Sequence, residues 1–283
     1  MSAVTPTASP PAGLLVTTFD GQRAYQDIKR QVDFGPRTPD SPGRAELIAW
    51  LQDELQQSGW SVEIQNAEQM GFPLQNVIAR RGGGRPWIIL GAHYDTRLLS
   101  DQEPEPADQT VPVPGANDGA SGVALLLELG RVLPTELPGG QIWLVFFDAE
   151  DNGDIQGRDW ILGSRAFVNS LTANPDAAII VDMIGDRDLE IYLERSSDLE
   201  LATEIWSTAA DLGYSDVFIP LPKYRMLDDH TPFLAAGIPA VLVIDFDYPY
   251  WHTAQDTPDK VSAESLQAVG STLETWLEAQ LSP

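Results

Sequence analysis

The chain has 283 residues, of which 43% are hydrophobic and 21% are charged, a composition typical of a globular enzyme with one large core. Its formal net charge of −25 excludes nucleic acid as a primary partner, because such a charge repels phosphate backbones. The sequence has no cysteine, which excludes disulfides, thiol nucleophiles and cysteine-ligated metals.

From Phe19 onward, predicted helices alternate with predicted strands, which favours a three-layer α/β/α fold around a twisted mixed, mostly parallel sheet. In chain order, the predicted helices are 21–31, 42–58, 118–132, 198–212, 231–236 and 263–281, and the predicted strands are 62–65, 76–80, 86–90, 142–147, 177–183, 189–193 and 240–246. Strands 86–90 and 142–147 are almost entirely apolar, so we expect them at the centre of the sheet.

We expect a disordered leader over residues 1–18 and a single catalytic domain over residues 19–283. The first twelve residues lack the basic and apolar regions of a secretory signal, and no apolar run is long enough to span a membrane. A Pro/Thr/Ser/Ala-rich leader also often follows a removed export signal. The location therefore stays open between secreted or periplasmic and cytoplasmic, and the oligomeric state stays open as well.

Residues of metal-ligand type fall where several of these strands end, which is the edge at which open parallel sheets build their sites. In chain order these residues are His93 and Asp95, Asp118 at a helix start, Asp148, Glu150 and Asp151, Asp182, and His252. Each one alone has an ordinary explanation as a helix cap, a loop acid or a half-buried histidine. As a set they predict a metal site, since adjacent acids after an apolar strand repel each other unless a cation or proton lies between them.

Without cysteine, histidine and carboxylate must supply the ligands of a zinc ion, and Asp118, Asp151 and His252 form such a set. Glu150 lies one residue from a ligand and is the candidate proton shuttle. His93 and Asp182 are candidates for a second metal position that shares Asp118. His230 stays open between the pocket lining and the surface.

The ordered motifs of the chain resemble the zinc aminopeptidases of metallopeptidase family twenty-eight and the animal-type glutaminyl cyclases that share their fold. The motifs are FGPRTPDSPG (34–43), PLQNVIAR (73–80), GAHYDT (91–96), PGANDGASG (114–122), VFFDAED (145–151), LGSRAF (162–167), VDMIGD (181–186), DDHTPFLAAGIPA (228–240) and WHTAQDT (251–257). The resemblance implies metal binding by His93, Asp118, Asp151, Asp182 and His252. It also implies that Glu150 is the general acid/base and that Asp95 orients His93.

The glutaminyl cyclases resemble the chain more closely at Trp251 before His252, at Asp228 and in the DMIG sequence (182–185). The chain departs from that branch at two positions. The strand after GIPA lacks the histidine of animal cyclases. Asp151 stands where cyclases usually have a glutamate ligand, a change that the peptidases tolerate. In the cyclase interpretation, zinc polarises the γ-carboxamide of an N-terminal glutamine while Asp228 and Trp251 shape the pocket. In the aminopeptidase interpretation, Glu150 deprotonates the attacking water.

Two further expectations complete the interpretation. The acidic stretch from Leu98 to Pro114 joins the segment of His93 to that of Asp118, so we expect it at the rim of the pocket, either as a gate or as a solvated insertion.

The alternative functions from other classes are an inactive peptide-binding protein and a serine hydrolase. The second lacks the G-x-S-x-G motif that places its nucleophile.

Overall fold

A computed structural model describes residues 17–281, and within them the chain forms seven α-helices, eight strands and one 3₁₀ helix at Pro258–Lys260. The α-helices are α1 (Gly21–Asp33), α2 (Pro42–Gln57), α3 (Ala120–Val132), α4 (Leu162–Ser170), α5 (Leu199–Asp211), α6 (Thr231–Ala235) and α7 (Ala263–Leu281). The strands are β1 (Ser61–Gln69), β2 (Phe72–Gly82), β3 (Trp87–His93), β4 (Gln141–Phe147), β5 (Ala177–Asp182), β6 (Ile191–Leu193), β7 (Phe218–Pro222) and β8 (Ala240–Ile244).

Every predicted helix and strand is present, and three further elements, α4, β7 and the 3₁₀ helix, were not predicted. Helix α4 spans only nine residues, so its apolar spacing is too short to stand out. Strand β7 carries Pro220 and Pro222, and proline counts against a strand because it cannot donate a hydrogen bond to a neighbour.

The main sheet has six strands in the order β1-β2-β4-β3-β5-β8. Strand β2 is antiparallel to β1 and β4, while β4, β3, β5 and β8 pair in parallel. This confirms the predicted mixed, mostly parallel sheet. Strand β6 does not join it but pairs in parallel with β7 in a separate two-stranded sheet.

Helices cover both faces of the main sheet, which confirms the three-layer α/β/α architecture. In β3, Ile88 and Leu90 pack into the larger core together with residues of α1, α2, α3 and α7, while Trp87 and Ile89 pack into the core on the other face with residues of α4 and α6. Burial on both faces explains why the central strands are apolar without alternation.

Helix α3 packs directly on β3 and β5, and this contact places its N-terminus at their carboxyl ends. A Cβ atom added at Gly122 would lie 2.7 Å from the Val181 carbonyl oxygen and 2.8 Å from Ala92 Cβ, so only glycine allows the approach. Gly119, which precedes α3, has a φ of +97°, a left-handed conformation that glycine adopts freely. Asp118 is thereby held where β3 and β5 end.

The N-terminal end of the described chain contacts α7. The Thr17 hydroxyl pairs with Ser271, and the Thr18 N–H donates to the Glu274 carboxylate, although both threonines fall within the predicted leader. Residues 1–16, the rest of that leader, lie outside the described residues. Over residues 17–281, no helix is both long and apolar enough to cross a membrane.

Candidate functional site

The predicted site residues meet at the carboxyl edge of the parallel strands. His93 is the last residue of β3 and Asp182 the last residue of β5, while Glu150 lies three residues after the end of β4. His252 lies in the segment between β8 and α7. Glu150, Asp228 and Trp251 line one cavity of about 50 Å³, together with Asp118, Asp151, Trp160, Asp182, Met183, Met226, Leu227, Ile244, Phe246 and His252.

Two groups of buried ligand-type atoms share Asp118. In what we call the His252 cluster (Asp118, Asp151 and His252), and likewise in the His93 cluster (His93, Asp118 and Asp182), one ligand atom from each residue lies within 4.8 Å of the others. His252 Nε2 lies 2.7 Å from Asp151 Oδ1 and 3.6 Å from Asp118 Oδ2. His93 Nε2 lies 3.1 Å from Asp182 Oδ1 and 3.2 Å from Asp118 Oδ1. Asp118 therefore turns one oxygen toward each histidine.

The His252 cluster fits a zinc ion because of the types of its donor atoms and because two of its carboxylate oxygens have no hydrogen-bond partner. One imidazole nitrogen and two carboxylates are ordinary zinc ligands that leave a position open for water or substrate. Asp118 Oδ2 and Asp151 Oδ2 are both buried without a hydrogen-bond partner. Because burying a carboxylate oxygen without a partner is costly, these two atoms favour a cation bound at this cluster.

Asp95 serves both the His93 cluster and the turn that follows β4. Its Oδ1 lies 3.6 Å from His93 Nδ1, so it faces the imidazole that it is predicted to orient, at a distance longer than a hydrogen bond. Its two oxygens also accept the backbone N–H groups of Glu150 at 3.0 Å and Asp151 at 3.3 Å. Asp95 thus positions the proton-shuttle candidate, a role that the sequence did not predict.

Three residues of the site hold left-handed backbone conformations without being glycine. Ala149 has a φ of 54°, Met183 of 46° and His252 of 55°. Each such conformation costs ~1–3 kcal/mol and persists only where the surrounding structure enforces it. Ala149 precedes Glu150 and Met183 follows Asp182, so the strain lies on the segments that aim the site residues.

Burial and crowding of acids raise several pKa values in the cavity. Burial raises the pKa of Glu150 well above its usual range, and the charges of Asp151 and Asp228 raise it further against the opposing effect of His93. Burial, followed by the charge of Asp182, raises the pKa of Asp228 to about 7. Asp228 can therefore hold and release a proton near neutral pH, and Glu150 holds its proton more tightly than an ordinary glutamate.

Aromatic rings wall the cavity beside His252. The Trp251 ring stacks on the His252 ring with centroids 3.8 Å apart and planes 25° apart. Trp160 is parallel to the same imidazole at 6.1 Å, and Phe246 packs edge-on against Trp251 at 5.1 Å. Trp160 was not predicted as a site residue, although its position ten residues after Glu150 could have suggested that it lies near the site.

Two buried charged residues that the sequence analysis passed over fix the segment of Asp118. Asp256 accepts hydrogen bonds from the backbone N–H groups of Asn117 at 2.8 Å and Asp118 at 3.1 Å. The fully buried Arg37 donates to the Pro114 and Gly115 carbonyls, and burial lowers its pKa to about 10. Both residues belong to sequence motifs given above, but the sequence does not show which residues they contact.

The remaining predictions concern the acidic stretch and the third histidine. The stretch does reach the site, because Asp101 Oδ1 lies 3.4 Å from His252 Nδ1 and Glu103 accepts the N–H of Ala254 at 2.9 Å. His230 is fully buried beside Glu194, 3.3 Å from its Oε2, and does not line the cavity. Both interpretations of His230, as a residue of the pocket lining and as a surface residue, were therefore wrong.

Comparisons with known proteins identify the family to which the chain belongs. The profile of Peptidase family M28 matches residues 76–277. A Zn-dependent exopeptidase from Parabacteroides distasonis superposes with a TM-score of 0.87 and 30% identity, over 95% of this chain and 100% of that one. The glutaminyl cyclase of Porphyromonas gingivalis gives 0.86 and 34%, over 93% and 99%. A leucine aminopeptidase precursor from Bacteroides thetaiotaomicron gives 0.85 and 31%, over 93% and 98%.

Proposed function

The chain belongs to peptidase family M28, and from this premise we propose that it is a glutaminyl-peptide cyclotransferase, which converts N-terminal glutamine of peptides to pyroglutamate with release of ammonia. Its solved relatives are zinc-dependent exopeptidases and glutaminyl cyclases, so the chain is an enzyme of a zinc-dependent family. The choice of reaction within that family, the peptide substrate and the number of zinc ions belong to the proposal.

We assign the working zinc to the His252 cluster. Asp118, Asp151 and His252 would hold it, and the two unpartnered carboxylate oxygens of that cluster support the assignment. A zinc ion bound there would polarise the substrate's γ-carboxamide carbonyl and stabilise the negative charge that develops on its oxygen.

Glu150 moves the proton in this proposal. As the substrate's α-amine attacks the carbonyl carbon of the γ-carboxamide, the Glu150 carboxylate accepts a proton from the amine nitrogen. It then donates that proton to the amide nitrogen, whose bond to the carbonyl carbon breaks to release ammonia. Its burial and raised pKa support this transfer, since a raised pKa makes the carboxylate a better proton acceptor and the protonated carboxyl group can then act as the donor.

The observation that carries the choice of cyclisation is the aromatic wall of the cavity. Trp251 lies on the ring of His252 at 3.8 Å, and the cavity measures about 50 Å³, so a flat apolar ring bounds a small space beside the proposed zinc ligands. Exclusion of water favours cyclisation, because water at the reacting carbonyl would divert the reaction to hydrolysis.

The second candidate, an aminopeptidase, is favoured by the shared carboxylate. Asp118 joins the His252 cluster to the His93 cluster, an arrangement suited to two metal ions, and the leucine aminopeptidase precursor is 31% identical. In that reaction Glu150 would accept the proton of the attacking water, while His93 and Asp182 would hold the second ion.

Two substrates separate the candidates. We expect the purified zinc protein to release ammonia from Gln-β-naphthylamide without freeing the naphthylamine, and to leave Leu-p-nitroanilide nearly intact. Zinc content should reach one equivalent. Rapid release of nitroaniline by a protein that holds two equivalents of zinc would replace the cyclase proposal with the aminopeptidase.

A further inference from the structure

The acidic stretch supplies the group that faces the outer nitrogen of His252. His252 Nε2 points to Asp151, whereas Nδ1 lies on the other side of the ring, 3.4 Å from Asp101 Oδ1. This separation is longer than an ordinary N–H···O hydrogen bond. Nδ1 is buried and forms no hydrogen bond with any of residues 17–281, so it has an unused donor or acceptor position that faces Asp101. Asp101 is therefore the acceptor that the fold offers to this nitrogen.

Asp101 is itself held by Arg97. The guanidinium donates from Nε to Asp101 Oδ1 at 2.9 Å and from Nη2 to Oδ2 at 2.5 Å, a bidentate pair that fixes the carboxylate plane. The third nitrogen of Arg97 donates to the Asp151 carbonyl at 2.8 Å. Arg97 therefore connects the Asp101 carboxylate, which faces His252, to the segment that carries Asp151, another proposed zinc ligand.

The backbone around Asp101 is fastened to the same segment as His252. The Gln102 N–H donates to the His252 carbonyl at 3.2 Å, and Glu103 accepts from Ala254. By contrast, Glu105 and Asp108 of the same stretch are exposed. The contact with His252 is thus confined to one end of the acidic stretch and is not a general property of its charge.

We propose that Asp101 is a positioning residue, which accepts the Nδ1–H of His252 and so fixes the tautomer and the ring orientation in which Nε2 binds zinc. An imidazole that binds through Nε2 must carry its proton on Nδ1, and an acceptor there sets both properties. Asp95 lies on the corresponding side of His93 at 3.6 Å. The proposal rests on the zinc site proposed above.

Asp101→Asn tests the proposal with little change in size. The amide oxygen is expected to stay with Arg97, which needs an acceptor, so that the amide NH₂ faces the Nδ1–H of His252 as a second donor. Zinc affinity, measured on the full chain by competition with a chromophoric chelator, should fall about 10–100-fold. Asp108→Asn removes the same charge from the exposed part of the stretch and should leave the affinity within about twofold of wild type.

Nitrogen-15 NMR of the histidine rings gives a second readout that does not depend on activity, and the chain has only three histidines. In the zinc-loaded wild type we expect His252 as the Nδ1–H tautomer, and in zinc-loaded Asp101→Asn a mixture of tautomers. Melting of the metal-free proteins reports whether the variant folds. If it does not fold, the wild-type spectrum decides, because an Nε2–H tautomer of His252 contradicts the proposal.

The outcomes separate this inference from the function on which it rests. A wild type that binds no zinc contradicts the proposed function. A wild type that binds zinc as tightly as a folded Asp101→Asn variant leaves that function standing and removes the positioning role of Asp101.

Discussion

The His252 cluster and the His93 cluster contain the same kinds of residues and share Asp118, but their ligand atoms are satisfied differently. In the His93 cluster, Nε2 faces one oxygen of Asp182 and one of Asp118 at 3.1–3.2 Å. In the His252 cluster, Asp118 Oδ2 and Asp151 Oδ2 have no hydrogen-bond partner. A proton on His93 Nε2 can satisfy the two oxygens that face it, whereas the two unpartnered oxygens of the His252 cluster remain without any donor or cation among the described residues.

Their surroundings differ in the same sense. Trp251 and Trp160 both stack with His252, while no ring contact joins His93 to an aromatic residue in the described chain. Beside the His93 cluster lies Asp228, whose raised pKa lets it hold a proton next to Asp182. Two similar sets of ligand residues can therefore differ in what they bind because their neighbours differ. The aromatic surroundings of the His252 cluster favour a cation, and the acidic surroundings of the His93 cluster favour protons.

The largest effect is expected for Glu150, which lies next to a His252-cluster ligand in sequence but is assigned proton transfer. Glu150→Gln preserves size and removes the proton acceptor, so turnover should fall about 10²–10⁴-fold with zinc content unchanged. Steady-state kinetics and metal analysis measure both, and Glu105→Gln on the exposed stretch is the control. Loss of zinc from Glu150→Gln would show that the roles of Glu150 and Asp151 are exchanged.

Removing each histidine in turn tests the comparison directly. His252→Ala deletes a proposed ligand, so zinc affinity should fall by more than the about 10–100-fold typical of residues outside the ligand sphere. His93→Ala should keep one equivalent of zinc, since the His252 cluster remains whole. Chelator competition on the two variants gives the answer. Equal zinc loss in both variants would mean that the clusters act as one two-metal centre.

The sequence predicted the sheet and the site edge because both depend on local signals. Strands 86–90 and 142–147 are apolar enough to require burial on both faces, and the acids after β4 stand out against such a run. The short helix α4 and the proline-containing β7 lacked such signals. They form because tertiary packing outweighs weak local preference.

The contacts around the ligands could not be predicted because they join segments far apart in sequence. Asp101 meets His252 across 151 residues, and Asp256 meets Asp118 across 138. An acid in a charge-rich loop looks solvated unless the partner segment is known, which is why the acidic stretch was assigned to the rim without a role for any one acid. The same holds for Trp160, whose position beside His252 depends on the fold of the loop after β4.

Trp251→Ala sharpens the contrast between the two clusters by opening the aromatic wall. The stacked ring excludes water and contributes about 0.5–1.5 kcal/mol beyond its buried area, so cyclisation should slow roughly tenfold while zinc affinity changes little. Relative rates of ammonia release and of substrate hydrolysis measure the effect. A variant that loses zinc but keeps its cyclisation rate per bound zinc would assign Trp251 to metal binding instead.

The smallest effect is a change in the pH dependence of stability at the His93 side. Burial, followed by the charge of Asp182, raises the pKa of Asp228 from 3.8 to about 7. The folded protein therefore keeps a proton that the unfolded chain has released over this range, so the group lowers the free energy of unfolding as the pH rises. Asp228→Asn removes that contribution and can still accept the N–H of Asp229 through its amide oxygen.

In the metal-free protein, the fall in Tm between pH 4 and pH 7 should therefore be smaller for Asp228→Asn than for wild type, by about 2–4 °C for each kcal/mol removed. Calorimetry in the presence of a chelator measures the two slopes, and the exposed Asp108→Asn should follow the wild type. Because zinc is absent from this experiment, the difference isolates the proton held near the His93 cluster. Identical slopes in all three proteins would show that Asp228 is ionised in the fold, and the contrast between a proton-holding side and a cation-holding side would then be lost.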